Sequence, residues 1–111
     1  MGNIYRFVEP VVLLVLKKKG RSYGYDLGNE LEGYAITDAE IERAALYRTL
    51  RNLEKNGNVV SEWHTEKGPA RRVYKLTRKG EHHLTEWATV LDHVSKSMAK
   101  FVRQVNELKA E

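Results

Sequence analysis

A basic stretch in the middle of the chain contains the side chains with the clearest chemical potential. Arg48, Arg51, Asn52 and Lys55 recur there at helical spacings. At about 100° per residue they share one face of a helix with Ala44. Guanidinium, amide and ammonium groups on such a face can hydrogen-bond to base edges and phosphates in a DNA major groove. A solvated helix of no further function has a similar face, so the helix alone does not decide.

Positive charge is concentrated around this stretch. Residues 43–79 hold ten Lys and Arg against three acidic residues, a balance of +7, whereas the rest of the chain holds nine basic and twelve acidic residues. The net charge of +4 therefore describes a basic segment on a slightly acidic body. This uneven distribution predicts a site for a polyanion.

The basic helix is followed directly by a predicted β-hairpin. Gly57 fits the left-handed position that ends a helix after Asn56. Two segments rich in β-forming residues follow, 59–65 and 71–77, and the turn between them contains Gly68 and Pro69. A wing with basic residues near its tip could reach an adjacent groove or the DNA backbone. A helix, a cap and a basic wing in succession predict a mainly α fold with a small β-hairpin, a winged helix-turn-helix. The basic residues near the tip are Lys67, Arg71 and Arg72.

Two further features help to place the helices before the hairpin. Leu46, Leu50 and Leu53 form the apolar stripe of the basic helix and are expected to face a core. Thr37 and Glu40 form a capping box, so a helical turn starts at residue 38. The sequence leaves open whether this turn continues to Asn56 or breaks near residue 42.

The two N-terminal helices have different characters. The first lies in the most hydrophobic segment of the chain, from Ile4 to Lys19, and is expected to start near residue 9 or 10, where Pro10 is tolerated. Because it is apolar nearly all round, we expect a second subunit to cover part of it. Val11 and Leu14 are the candidates for that contact. The second helix is predicted to be capped by Ser22 and to run to about residue 32.

The last helix is predicted to be capped by Thr77 and to continue to about Lys109. Its apolar residues alternate at spacings of three and four, which is a heptad seam too long for the preceding 77 residues to cover. We therefore expect a homodimer, with residues 1–77 as a DNA-binding domain and residues 78–111 as a dimerisation helix. The alternative is an amphipathic helix folded back on its own domain. The seam consists of Leu84, Trp87, Leu91, Val94, Met98, Phe101, Val105 and Leu108.

Several motifs, taken in this order, resemble the PadR family of bacterial and archaeal transcriptional regulators. They are YGYDL at residues 23–27, ALYRTLRNLEKNG at 45–57, SEW at 61–63 and GPARRVYKLT at 68–77. The resemblance implies a dimeric repressor that binds operator DNA. It also implies that residues 23–27 belong to a helix crossing the DNA backbone, where Tyr23 and Tyr25 would donate to phosphates unless they are buried. Ala44 and Ala45 replace the Gly-Thr pair usual in the family, so a hydroxyl donor is missing from that part of the DNA-contacting surface.

Roles for the site follow from these considerations. We expect Arg48, Arg51 and Asn52 to contact bases. The residues expected to hold phosphates are Tyr47, Lys55, Lys67, Arg71 and Arg72. Some PadR-like regulators bind flat aromatic molecules between helices at the dimer interface, so the resemblance makes Trp87 and Leu91 the candidate effector pocket. Trp87 as a simple anchor of the seam is the alternative.

Other functions find little support. The chain has no cysteine, which excludes disulfides and thiolate chemistry, and no apolar run long enough to span a membrane. His82, Glu86 and His93 share a helix face but are too far apart for a metal site. We expect no catalytic residues, no cofactor and a cytoplasmic location. Two other functions stay open: an interaction module that docks an acidic protein, and a sequence-independent architectural DNA binder.

Overall fold

The structure is a computed structural model that describes residues 8–32, 43–66 and 68–110. The predictions for Ile4, the Thr37–Glu40 capping box, the possible break near residue 42 and Lys67 lie outside the described residues. None of the helices in the described ranges combines the length and hydrophobicity needed to span a bilayer. The elements are α1 (Val8–Lys19), β1 (Arg21–Tyr23), α2 (Gly24–Glu32), α3 (Arg43–Lys55), β2 (Val59–His64), β3 (Arg71–Leu76) and α4 (Arg78–Ala110).

The strands form one antiparallel sheet in the order β1-β3-β2. The predicted mainly α fold with a hairpin and a long C-terminal helix is therefore confirmed, with one strand more than expected. The prediction that Ser22 caps α2 is wrong. Ser22 lies in β1 opposite Tyr74, and its hydroxyl donates to the Tyr23 carbonyl at 3.2 Å. Residues 21–23 form a strand because they pair with β3, and α2 therefore starts only at Gly24.

The core lies where α1, α2 and α3 meet one face of the sheet. α1 supplies the largest share of it, and α2, α3 and α4 of the same chain all pack against this helix. Val11 is only 4% exposed, so the expectation that it faces a second subunit is corrected, because it belongs to the protomer's own core. Leu14 is 39% exposed and stays available. Pro10 lies in the first turn, where its missing N–H is not needed.

The end of α3 has the predicted glycine cap. Gly57 has a φ of +81°, in the left-handed region. The Asn58 amide donates to the Leu53 carbonyl at 2.8 Å, and the Gly57 amide donates to the Glu54 carbonyl at 3.0 Å. These two bonds form a Schellman motif, which satisfies the last carbonyls of the helix and turns the chain into β2.

The start of α4 is tied to the same turn. The Gly80 amide donates to Thr77 Oγ1 at 3.0 Å, which confirms Thr77 as the N-cap. The Thr77 amide donates to the Asn58 carbonyl at 3.1 Å, and the Thr77 hydroxyl lies 2.7 Å from the Gly57 carbonyl oxygen. Gly80 is buried against this turn, and a Cβ built there would lie 2.0 Å from the Asn58 carbonyl oxygen. Only a glycine permits so close an approach of the helix to the turn.

α4 has 33 residues, so it is about 50 Å long. Its N-terminal part packs on the domain, where Leu84 and Trp87 are partly buried against the core. Further along, much of the predicted seam is exposed to solvent, with Phe101 at 66% and Leu108 at 72%. The molecule is elongated, with extents of 67 × 26 × 21 Å. The projecting part of α4 therefore carries an apolar face that its own protomer does not cover.

Candidate nucleic-acid interface

The two faces of α3 are separated as the sequence predicts. Leu46, Leu50 and Leu53 are at most 1% exposed, which fixes the rotation of the helix about its axis. The opposite face is open to solvent and consists of Ala44, Arg48, Arg51, Asn52 and Lys55. Ala45 is 5% exposed, so including it among the DNA-contacting side chains is corrected, because its methyl group faces the core.

The charged groups on this face are uncommitted. Arg48, Arg51 and Lys55 make no hydrogen bond or ion pair with any other residue that the structure describes. Each guanidinium brings five N–H donors and each ammonium three, and none of these is used within the part of the chain that the structure describes. The surface is thus able to meet many acceptors at once, which suits a nucleic acid.

The wing places two arginines next to aromatic rings. Arg71 Cζ lies 5.3 Å from the centre of the Tyr23 ring, whose edge in turn meets His64 at a centroid distance of 6.0 Å. On the other face of the sheet, Arg72 Cζ lies 5.4 Å from the centre of the Trp63 indole. These cation–π contacts hold both guanidinium groups near the sheet surface. Trp63 and His64 were not predicted as parts of the site.

Arg72 has further partners inside the protomer. Its Nε donates to Ser61 Oγ at 2.8 Å, and its Nη2 lies 3.4 Å from Glu54 Oε1. Ser61 Oγ in turn donates to Glu54 Oε2 at 2.6 Å. The sequence singled out Arg72 by charge alone and gave no indication of this network, because its members come from α3, β2 and β3.

A second arginine joins α2 to α3. The Arg43 guanidinium lies 4.4 Å from the centre of the Tyr25 ring and donates to the Tyr25 carbonyl at 3.4 Å and to Asn29 Oδ1 at 3.3 Å. Its Nη1 would be 2.5 Å from a Cβ at Gly28. The Arg43 side chain therefore fills the space that a Cβ at residue 28 would need. Arg43 was missed because its partners lie 14 and 18 residues earlier in the chain.

A cleft of about 740 Å³ lies between the start of α2, the middle of α3 and the wing. Tyr74 forms part of its inner wall, and burial raises the pKa of this phenol above its ordinary value, with the nearby positive charge of Arg72 acting in the opposite direction. The cleft brings together residues that the sequence assigned to separate elements. Its lining includes Tyr23, Tyr25, Tyr47, Arg51, Trp63, Arg71 and Arg72.

The candidate effector residues lie elsewhere, where α4 meets α1. Trp87 is partly buried, and its indole Nε1 donates to Glu9 Oε1 at 3.4 Å. His83 also contacts this carboxylate and lies edge-on to the Trp87 ring. Leu91 is half-buried one turn further on. Across the described ranges, no group of three or more His, Cys, Asp or Glu side chains is placed to hold a metal ion. His82 lies 3.8 Å from Glu86, and these two residues form an exposed pair.

Comparisons with known proteins agree with this geometry. A family model described as the transcriptional regulator PadR-like family matches residues 12–86. A transcriptional regulator of Mycobacterium tuberculosis is 34% identical over 76 residues, which are 63% of this chain and 71% of that protein. The structure of a transcriptional regulator from Clostridium thermocellum is similar with a TM-score of 0.80 and 26% identity, covering 92% of this chain and 97% of that one. A PadR family regulator from Eggerthella lenta has a TM-score of 0.61 and 34% identity, covering 78% of this chain and 80% of the other.

Proposed function

Because the chain belongs to the PadR-like family of transcriptional regulators, we propose that it binds a specific operator in double-stranded DNA as a homodimer and represses transcription there. DNA-binding regulation of transcription is the activity of the family. The operator specificity, the dimer and the negative sign of regulation are the parts proposed for this chain. The uncommitted basic face of α3 is the observation that carries the proposal.

We assign base contacts to the centre of this face. Arg48 and Arg51 can each donate two parallel hydrogen bonds to a guanine, and Asn52 can pair with an adenine. These three side chains are exposed on a helix whose opposite face is fixed by buried leucines. A rigid helix presenting free donors can discriminate between base pairs, whereas a mobile one would mainly neutralise charge.

Backbone contacts surround that centre in our proposal. Lys55 at the end of α3 and Arg71 on the wing bring positive charge, and the tyrosines of the cleft bring hydroxyl donors. The residues we assign to phosphates are Tyr23, Tyr25, Tyr47, Lys55, Lys67 and Arg71. Ala44 would contribute only its small size, which lets the start of α3 approach the DNA closely.

The proposed dimer uses the exposed part of α4. The heptad seam runs to Leu108, and its far half is uncovered in the protomer. Pairing of two such helices would bury this apolar face and place two copies of α3 for half-sites about one DNA turn apart. In this proposal residues 1–77 bind DNA, residues 78–111 dimerise, and the protein acts in the cytoplasm. An aromatic or hydrophobic effector near Trp87 and Leu91 would act through the same interface.

The test is selection of binding sites from a random duplex library, followed by affinity measurements on the enriched site. We expect an inverted repeat with half-sites about ten base pairs apart. Arg48→Ala should cost about 1 to 3 kcal/mol on this site and relax specificity at one position. Arg103→Ala is the matched control, because it removes the same charge from an exposed position on α4. Equal losses in both variants would refute base contact by Arg48.

Other outcomes of the selection identify the competing functions. Retention of DNA without an enriched sequence would indicate an architectural DNA binder. No retention at low salt would indicate a module that docks an acidic protein through the same basic surface. A reporter gene placed behind the enriched site then gives the sign of regulation, since repression predicts that deleting the protein raises expression.

A further inference from the structure

An acidic residue in α3, the recognition helix of the proposed function, is an unexpected feature of a surface that binds DNA. Glu54 lies on α3 and is half-buried on the side that faces the wing. Its carboxylate uses both oxygens: Oε2 accepts from the Ser61 hydroxyl at 2.6 Å, and Oε1 lies 3.4 Å from Arg72 Nη2. The triangle is closed by Arg72 Nε, which donates to Ser61 Oγ at 2.8 Å. The three side chains thus connect α3, β2 and β3.

The register of the hairpin explains why these residues meet. Ser61 is opposite Tyr74, and Trp63 is opposite Arg72 in the β2–β3 ladder. Partners directly across a ladder point to the same face, and alternate residues of a strand share that face. Ser61, Trp63 and Arg72 therefore line the side of the wing that faces α3. The Trp63 indole lies against the Arg72 guanidinium, with Cζ 5.4 Å from the ring centre.

Each of the three side chains uses part of its hydrogen-bonding capacity within the triangle. The single Ser61 proton goes to Glu54, and its oxygen accepts from Arg72. Arg72 directs its Nε and one terminal nitrogen inward, where they meet a hydroxyl and a carboxylate. Moving these two donors to a phosphate would leave Glu54 unpaired beside a polyanion, so we assign them to the protomer's own contacts.

We propose that Glu54, Ser61 and Arg72 form a brace that fixes the wing against the recognition helix, and that Arg72 is a positioning residue. The brace sets the distance between the base-reading face of α3 and the backbone contact made by the wing. It thereby determines which duplex geometry both elements can contact together. This inference rests on the proposed DNA-binding function and replaces the phosphate contact expected of Arg72 from its charge.

The sign of one substitution separates the brace from simple electrostatics. Glu54→Gln removes a negative charge close to DNA, so electrostatics alone predicts tighter binding. The brace predicts binding to the selected site that is about tenfold weaker, the size expected for one lost charge-assisted hydrogen bond. Glu62→Gln is the matched control, because Glu62 belongs to the same hairpin, points to the other face of the sheet and pairs with His64. It should leave binding unchanged or tighten it.

Three further variants test the same point, one without a change of charge and two with one. Ser61→Ala is neutral and should weaken binding to the selected site without changing the dependence of affinity on salt. Arg71→Met should reduce the slope of log K against log salt by about 0.9, the value for one phosphate contact, whereas Arg72→Met should change it by less than half as much. Tighter binding in Glu54→Gln, or equal slope changes for the two arginines, would overturn the brace.

A readout without DNA keeps the inference separate from the proposed function. In a Trp87→Phe background, Trp63 is the only tryptophan and reports on the wing. Glu54→Gln and Ser61→Ala should each raise the rate at which acrylamide quenches Trp63, because the ring loses its fixed arginine partner. Unchanged quenching in both variants would refute the brace, whether or not the protein binds DNA. Unchanged site affinity in Arg48→Ala together with raised quenching would refute the proposed base contact alone.

Discussion

Replacing Gly80 by Ala tests the junction between α4 and the turn after α3. The new Cβ would lie 2.0 Å from the Asn58 carbonyl oxygen, and real Cβ atoms do not approach a backbone atom so closely. A shift of more than 1 Å is needed to reach an ordinary contact distance of about 3.4 Å. Both sides of the contact are backbone, so no rotamer change can relieve it. The start of α4 must move away from the turn.

The cost can be worked from the contacts that such a movement breaks. Overpacking of a buried site costs about 1 to 3 kcal/mol. Thr77 donates through its amide to Asn58, and each lost hydrogen bond of this kind costs about 1 kcal/mol. Alanine returns at most about 1 kcal/mol through its higher helix propensity. We therefore expect a net loss of about 2 kcal/mol in the free energy of unfolding. Each kcal/mol lowers Tm by roughly 4 to 8 °C in a domain of about this size.

Urea unfolding at one fixed protein concentration measures this loss. Gly28→Ala is the matched control, since Gly28 is also a helical glycine with a close neighbour, 2.5 Å from a built Cβ. That neighbour is the flexible end of Arg43, which can swing away, so the gain in propensity and the lost Arg43 hydrogen bonds should nearly cancel. If Gly80→Ala were as stable as Gly28→Ala, the close backbone packing at this junction would be refuted.

Two further predictions concern pH and assembly. The raised pKa of Tyr74 means that the folded state keeps the phenol proton to higher pH than the unfolded chain does. The stability from this group is therefore present below about pH 10, the ordinary tyrosine pKa, and is lost as the pH rises through the folded pKa. Tyr74→Phe should lose less stability than the wild type between about pH 9 and 11 in urea titrations, and an identical pH profile would contradict the role of burial. Phe101→Asp should convert the proposed dimer to monomer in sedimentation equilibrium, because a charge would enter the apolar seam. Ala99→Asp is the control, since residue 99 is also exposed but lies outside the seam, and it should leave the dimer intact. Dissociation of both variants would mean that added charge, and not the seam, decides assembly.

Local patterns predicted much of the fold correctly. The glycine cap at Gly57, the threonine cap at Thr77 and the buried stripe of α3 depend on residues within one or two turns of each other. Their chemistry is therefore visible in the sequence. β1 was missed because a strand of three residues has almost no pattern of its own. It exists through pairing with β3, some fifty residues further along.

Other features could not be predicted from the sequence because they depend on tertiary packing. The ion pair between Glu54 and Arg72 requires the hairpin to fold back in one particular register. By charge alone, Arg72 was equivalent to Arg71. Val11 was assigned to a subunit contact because its helix is apolar nearly all round, but the sequence does not show that the same chain covers most of this helix. The candidate site residues could thus be identified from their residue types. Only the structure shows which of their side chains contact other residues of the protomer.

The uncovered far half of α4 has a consequence for how the molecule unfolds. Beyond Leu91 the helix is held within the protomer mainly by local bonds such as the Asp92–Lys96 pair at 3.0 Å. Most of the stability of a helix in a protein comes from tertiary packing, and this part of α4 has little of it within the protomer. Its amide protons should therefore exchange with solvent far faster than those of α1, which lies in the core. Each protomer accordingly consists of a stable globular domain and a less stable projecting part of α4. Ordering of this projecting part then contributes to the free energy of assembly.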